Sequence, residues 1–159
     1  MSWRNKLKWG DESLKTPEHD ALMIWLDENC VSIAKKLFPE LDENGYGRPL
    51  WEEPLTTKTG SILCFIDLFL SAKETKRKDY QKSYDLLFEV KPKIESIGEL
   101  LRQLKSYEHY QKSQRDGMYG MSNSCKIIVV SPDTKATEII LRQGFYFFNP
   151  DDFKDETNN

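Results

Sequence analysis

Tyr84-Asp85-Leu86-Leu87-Phe88-Glu89-Val90-Lys91-Pro92 is the stretch on which the reading of this chain turns. An apolar run of strand length ends in a glutamate and a lysine two positions apart. In a strand, residues i and i+2 share a face, so Leu87, Glu89 and Lys91 point one way and Leu86, Phe88 and Val90 the other. Pro92 has no amide to donate and ends the pairing there. An isolated Glu-x-Lys is ordinarily an ion pair on a half-solvated sheet, so its neighbours decide what it means here.

One strand earlier, residues 61–70 (SILCFIDLFL) form a nearly continuous apolar run with a single charge, Asp67. A strand of that kind is buried on both faces, where a carboxylate is costly unless it is paired, hydrogen-bonded or bound to metal. Alone, Asp67 reads as an aspartate bonded to a backbone amide at a strand end. Taken with Glu89 it reads differently, because neighbouring strands would bring the two carboxylates together. Two such groups repel unless a cation sits between them. Oxygen ligands without His or Cys suit Mg2+ or Mn2+. A lysine beside them can hold a hydroxide or stabilise a charged phosphate.

Working outward, Thr16-Pro17-Glu18 reads as a helix start, with Thr16 as cap and Pro17 where an amide is not needed. Leu22, Trp25, Leu26, Ile33, Ala34 and Leu37 form its apolar stripe, with a break expected near Asn29; Pro39 and Asp42-Glu43-Asn44-Gly45 end it. Residues 48–56 are a weak strand that Pro49 and Pro54 confine to an edge, and Gly60 marks a turn. Ser71–Ser83 reads as a polar connection. Ser96-Ile97-Gly98-Glu99 matches a capping box that opens a helix to about Gln111. A loop over 112–124, a strand Cys125–Val130, a helix Thr134–Gln143 stopped by Gly144, and a strand Gly144–Phe148 follow. The order α-β-β-β-α-β-α-β predicts a mixed sheet flanked by helices, an α/β fold. We expect an N-terminal arm over 1–15, a single domain over 16–149 and a loose acidic tail over 150–159.

The bulk properties bound the rest. A chain of 159 residues suits one domain with a real core. Its net charge of −3 argues mildly against holding nucleic acid by bulk positive charge, while leaving a local basic surface open. The sequence has no run long and apolar enough for a membrane span and no apolar signal core near its start, so we read it as intracellular and cytoplasmic. Cys30, Cys64 and Cys125 are scattered, odd in number and without a CxxC pair, so reduced thiols are expected rather than disulfides or zinc.

Asp67, then Glu89-Val90-Lys91, then a helix and a further strand resemble the PD-(D/E)xK nuclease superfamily, over roughly residues 16–148. The resemblance implies a restriction-endonuclease-like αβββαβ core, here with an extra C-terminal helix and strand. It also implies an acidic residue on the opening helix, a place that Glu18 occupies. Relatives exist with a histidine metal ligand on that helix, but we read His19 as solvent-facing. Gln103 and Tyr107, four apart on one helical face, look like the QxxxY element of the RecB-like branch. That pair implies a contact to substrate or to the lysine. Ile66-Asp67 stands where the family often has Pro-Asp, and Pro92 directly follows the lysine; neither departure removes a ligand.

What the resemblance implies for function is specific. Asp67, Glu89 and the carbonyl of Val90, with Glu18, would hold Mg2+ or Mn2+. Lys91 would orient an activated water for attack on a DNA phosphodiester, leaving 3′-OH and 5′-phosphate ends. This describes a metal-dependent deoxyribonuclease, with end and internal cutting both open. Lys73, Lys76, Arg77 and Lys78 lie in the connection over 71–83, where five basic residues stand against two acidic ones, and Tyr80 is available for stacking. With Lys93, Lys105, Lys112 and Arg115 they are candidates for tracking phosphates. A different class of reading is a catalytically inactive, nuclease-like module for nucleic-acid binding, assembly or regulation. A homodimer or a larger nuclease complex fits either one.

Overall fold

The computed structural model describes residues 16–56, 59–115 and 124–156. The expected N-terminal arm lies outside them, as do the end of the tail and most of the loop expected over 112–124, whose first residues, up to Arg115, instead continue a helix.

Helix α1, Pro17–Leu37, begins where the capping signal places it: the amide of His19 donates to the Thr16 hydroxyl at 3.2 Å. It is not broken at Asn29. The Asn29 side-chain amide donates to the carbonyl of Trp25 at 2.7 Å, one turn back, so the residue satisfies itself within the helix. Met23, Leu26, Cys30, Ile33 and Ala34 are its buried stripe. Burial, with the charge of Asp27, pushes the Cys30 thiol up to about 11 and keeps it unreactive.

Strand β1 is Leu50–Thr56, β2 Ile62–Arg77, β3 Tyr80–Val90, β4 Ser124–Val130 and β5 Tyr146–Phe148. They form one sheet in the order β1-β2-β3-β4-β5, antiparallel up to β3 and parallel beyond it. Strand β1 lies at the edge, where the amide that Pro54 lacks is not needed, and Pro49 directly precedes it. Helix α2, Ile97–Arg115, crosses from β3 to β4, and α3, Thr137–Arg142, from β4 to β5. The expected mixed α/β sheet is therefore present, with the αβββαβ order at its centre. No helix among the described residues is long and apolar enough to cross a membrane.

Two elements differ from the sequence reading. Ser71–Ser83 is not a loop. The β2–β3 ladder runs from Leu68 opposite Phe88 to Arg77 opposite Tyr80, leaving Lys78-Asp79 as the turn. This ribbon projects beyond the main core, so its polar residues carry none of the apolar run that marked the strands on either side. The loop after α1 is stitched to it: the amides of Asp42 and Gly47 donate to the carbonyls of Lys73 and Ser71, and the Asp42 carboxylate accepts from the amide and hydroxyl of Thr75. The described part of the tail is likewise ordered, as helix α4, Pro150–Glu156. Asn149 accepts the amide of Asp151 at 3.0 Å, and Phe153 packs edge-on to Trp25 with ring centroids 5.9 Å apart. Acidity there marks a helix N-terminus that favours negative charge.

Apolar clusters cover both faces of the sheet. On the α1 side lie Leu68, Leu70, Leu86, Phe88, Val90, Ile128 and Val130. On the α2 side lie Ile66, Leu87, Leu100, Leu104, Tyr107, Ile127, Val129 and Ile140. Strand β3 alternates between them as its sequence requires. Ile66 and Leu68, two apart on β2, nevertheless belong to opposite clusters, so the strand turns about its axis at Asp67. Between the β1 residues paired with them, Glu52 has φ of 49°, a left-handed conformation that a residue with a Cβ adopts only under constraint.

Candidate active site

The twist at Asp67 is also where β2 and β3 part. Leu68 opposite Phe88 is the last rung of the ladder on that side. In place of the next rung, the Asp67 carboxylate accepts the amide of Val90 at 2.8 Å. The plain reading of Asp67, an aspartate bonded to a backbone amide, thus holds as far as it goes. One residue on, the amide of Lys91 points the other way and donates to the carbonyl of Val130 at 3.0 Å. A residue's amide and carbonyl leave a strand on the same edge, so the Val90 carbonyl emerges on the edge that meets Asp67.

Glu89 is 3% exposed, a carboxylate almost wholly removed from water. One of its oxygens, Oε1, is 2.8 Å from the ammonium of Lys91. The other, Oε2, accepts the phenol of Tyr107 at 2.9 Å. Tyr107 in turn accepts the side-chain amide of Gln103 at 2.6 Å. Tyr107 therefore stands against the glutamate, not the lysine, and Gln103 reaches the glutamate only through Tyr107.

The electrostatics follow from this enclosure. Burial, reinforced by the charge of Asp67, pushes the Glu89 carboxyl up to about 7, against the pull of Lys91 and the Tyr107 hydrogen bond. Burial works against the charged form of Lys91. The charge and hydrogen bond of Glu89, helped by Asp67, outweigh it and raise the lysine above its ordinary value. Tyr107 is held firmly in its phenol form by burial and by the charges of Glu89 and Asp67. Two carboxylates, one ammonium and one phenol thus share a largely buried cluster whose most exposed member is Lys91, with 32% of its side chain exposed.

On the opening helix the structure departs from expectation. Glu18 is exposed, whereas His19 has 14% of its side chain exposed and brings Nε2 to 3.3 Å from Asp67 Oδ1. Adjacent helical residues point about 100° apart, so the two cannot face the same centre. The other His19 nitrogen, Nδ1, is buried without a hydrogen-bond partner. The signal for His19 was in the sequence: positions 19, 23, 26, 30 and 33 are one helical stripe, and His19 is its polar end.

The basic candidates are mostly elsewhere. At ~3.3 Å per residue, the end of β2 at Arg77 lies about 33 Å along the strand from Asp67. Lys73 and Lys78 are exposed on this distal ribbon, and Lys76 lies 3.9 Å from Glu74. Lys93 is exposed two residues beyond Lys91. Lys105 is exposed on α2, with its ammonium 5.1 Å from the Phe145 ring centre and 3.8 Å from Glu108. The side chains of Arg77, Lys112 and Arg115 lie outside the described residues.

Among the described residues, no three of His, Cys, Asp and Glu form a group ready to hold a metal ion. The groups that do meet are two carboxylates, the His19 imidazole against Asp67 and, on the same edge, the Val90 carbonyl. Asp67 Oδ2 and the two Glu89 oxygens each have one protein donor, and such an oxygen can accept a second partner. A hard cation that keeps part of its water shell fits this set, since it needs few protein ligands and relieves the repulsion between Asp67 and Glu89.

No protein-family model matches the chain, and no curated protein matches it. Among solved structures it is similar to a repair endonuclease from Pyrococcus abyssi, at 17% sequence identity and a TM-score of 0.45, over 88% of this chain and 49% of that one. The chain thus spans about half the length of that protein.

Proposed function

We propose that this chain is a metal-dependent nuclease that hydrolyses phosphodiester bonds of DNA. The observation that carries the reading is the convergence of Asp67, buried Glu89 and Lys91 where β2 and β3 separate, with Tyr107 fixing the glutamate from behind. A purely structural ion pair does not call for a second carboxylate beside it, since that adds repulsion in a place where charge is already costly.

Asp67, Glu89 and the Val90 carbonyl are the groups that would hold Mg2+ or Mn2+. A bound ion would supply Lewis-acid activation of water and neutralise charge on the phosphate. The chain's own residues set the rest. Gln103 and Tyr107 lock the rotamer of Glu89, and the Val90 amide locks that of Asp67. Lys91, the part of the centre open to solvent, orients the attacking water and stabilises negative charge gathering on the phosphate. Attack in line with the leaving group forms one P–O bond and breaks the bond to the 3′ oxygen, leaving 3′-OH and 5′-phosphate ends. Exposed Lys93, two residues beyond Lys91, is the basic residue we assign to a neighbouring phosphate. Glu18 has no part in this arrangement.

The test is cleavage of linear and circular DNA, and of RNA, with Mg2+ or Mn2+. Wild type should cut DNA, and Asp67→Ala, Glu89→Ala and Lys91→Ala should each lose about a hundredfold or more while remaining folded. Cleavage that persists in all three variants, or a wild type that cuts nothing, would sink the reading.

A further inference from the structure

Lys91 is followed by three residues that carry it to Ile94, and both ends of this short segment are fastened. At its start the Lys91 amide donates to the carbonyl of Val130, the last residue of β4. At its end the Ile94 amide donates to Asp133 at 2.9 Å, across 39 positions of sequence, and the Ile94 side chain is buried in the α2-side cluster. Pro92 between them has a fixed φ and no amide to offer elsewhere. The acceptor is itself held in place. The Asp133 amide donates to the hydroxyl of fully buried Ser131 at 3.0 Å, and the Ser131 amide donates to the carbonyl of Phe148 at 3.0 Å. The second Asp133 oxygen takes the amide of Lys135 at 3.3 Å. The turn after β4 is thereby joined to the backbone that carries the lysine, and Asp133 is the joint.

We propose that Asp133 is a positioning residue for Lys91. Its carboxylate fixes the Lys91–Ile94 segment so that the ammonium stays against Glu89 at the mouth of the centre. The inference rests on the reading of Lys91 as the lysine of a nuclease, but it has a consequence that does not need turnover. Without the acceptor, Ile94 is held by its buried side chain alone and the backbone of the segment loosens as far as the cap of α2 at Ser96. The ammonium then leaves Glu89 for part of the time and becomes open to acylating reagents. Asparagine keeps an acceptor oxygen in the same place, so Asp133→Asn should preserve the arrangement and Asp133→Ala should not.

The experiment measures acylation of Lys91 by acetic anhydride in the full chain, read by peptide mass spectrometry, beside DNA cleavage with Mn2+. In Asp133→Ala, Lys91 should label several-fold faster than in wild type, and kcat should fall about tenfold to a hundredfold with KM little changed. Asp133→Asn should match wild type in both, as should Lys135→Ala, which removes the cation 3.4 Å from Asp133 but not the acceptor. If Asp133→Ala is unfolded by circular dichroism, Asp133→Glu replaces it, since the longer side chain displaces the oxygen and should give the same increase. Unchanged labelling of Lys91 in the folded variant, or an Asp133→Asn that labels as fast as Asp133→Ala, overturns the proposal. A wild type that cuts no DNA overturns the nuclease reading instead, and the labelling still decides the role of Asp133.

Discussion

The phenol of Tyr107 on α2 and the carboxylate of Glu89 on β3 share a hydrogen bond of 2.9 Å in which both residues are buried. Of the two acceptors the tyrosine hydroxyl meets, this carboxylate is nearer than the Phe65 carbonyl at 3.4 Å, and the same hydroxyl accepts from Gln103, so the three side chains form a chain that runs from the amide to the glutamate. A carboxylate in so dry a place depends on each donor it has.

Tyr107→Phe keeps the ring and removes that donor. It should cost about 1–3 kcal/mol of stability, because Glu89 and Gln103 both lose a buried partner. Chemical denaturation checks the loss. Cleavage should fall as well, since the glutamate is then free to change rotamer.

The raised pKa of Glu89 makes stability depend on pH in a definite direction. Its folded value is about 7 against an ordinary 4.5, so between these values the folded state binds more protons than the unfolded one. Stability of the metal-free protein should therefore fall as pH rises from about 4.5 to 7, by an amount on the order of a few kcal/mol. Asp42, held low mainly by the Thr75 hydroxyl, and Asp133, held low mainly by the Ile94 amide, act at lower pH: their contribution is present above 3.8 and is lost on acidification. Lys91, raised by Glu89, loses its contribution only above its ordinary 10.5. Melting temperatures of wild type and Glu89→Gln across pH 4.5–7.5 isolate the effect. The difference should grow with pH in favour of the variant, and a parallel pair of curves would contradict it.

His19 and Glu18 are adjacent and should behave oppositely. His19→Ala removes the group 3.3 Å from Asp67 and should weaken Mn2+ binding, measured by calorimetry, about tenfold or more. Glu18→Ala changes an exposed side chain, and its effect on stability should stay within about 0.5 kcal/mol.

The ribbon lysines make a prediction about length. At ~3.3 Å per residue Lys73 lies about 20 Å and Lys76 about 30 Å along the strand from Asp67, with Lys78 in the turn beyond, which corresponds to roughly six to ten base pairs of duplex. Replacing Lys73, Lys76 and Lys78 together by alanine should weaken binding to long duplexes and lower its salt dependence, while leaving duplexes that end within a few base pairs of the centre unaffected. Lys93→Ala should weaken both, as fluorescence anisotropy at two salt concentrations can show.

These contrasts also mark how far the sequence could be read. Asp67 and Glu89 stood out because each is a charge inside an apolar strand, and the period of two assigned Glu89 its face correctly. Helical spacing put Gln103 and Tyr107 on one face, and only the resemblance to the QxxxY element pointed that face at the site. The edge position of β1 followed from its prolines. The ribbon was not legible, because strands that leave the core lose the apolar alternation that identifies them. His19 was missed although it continues the stripe of Met23 and Leu26, because a polar residue at the end of an apolar stripe reads as surface. Asp133 gave no local signal at all, since its partner lies 39 positions away and is a backbone amide.

The most direct test of the central claim is Mn2+-dependent cleavage of DNA by wild type and Lys91→Ala side by side, with folding of both checked by circular dichroism. The arrangement around Glu89 predicts that wild type cuts and leaves 3′-OH ends, while the folded variant is slower by about a hundredfold or more. Equal cutting by the two proteins, or none by the wild type, would contradict it.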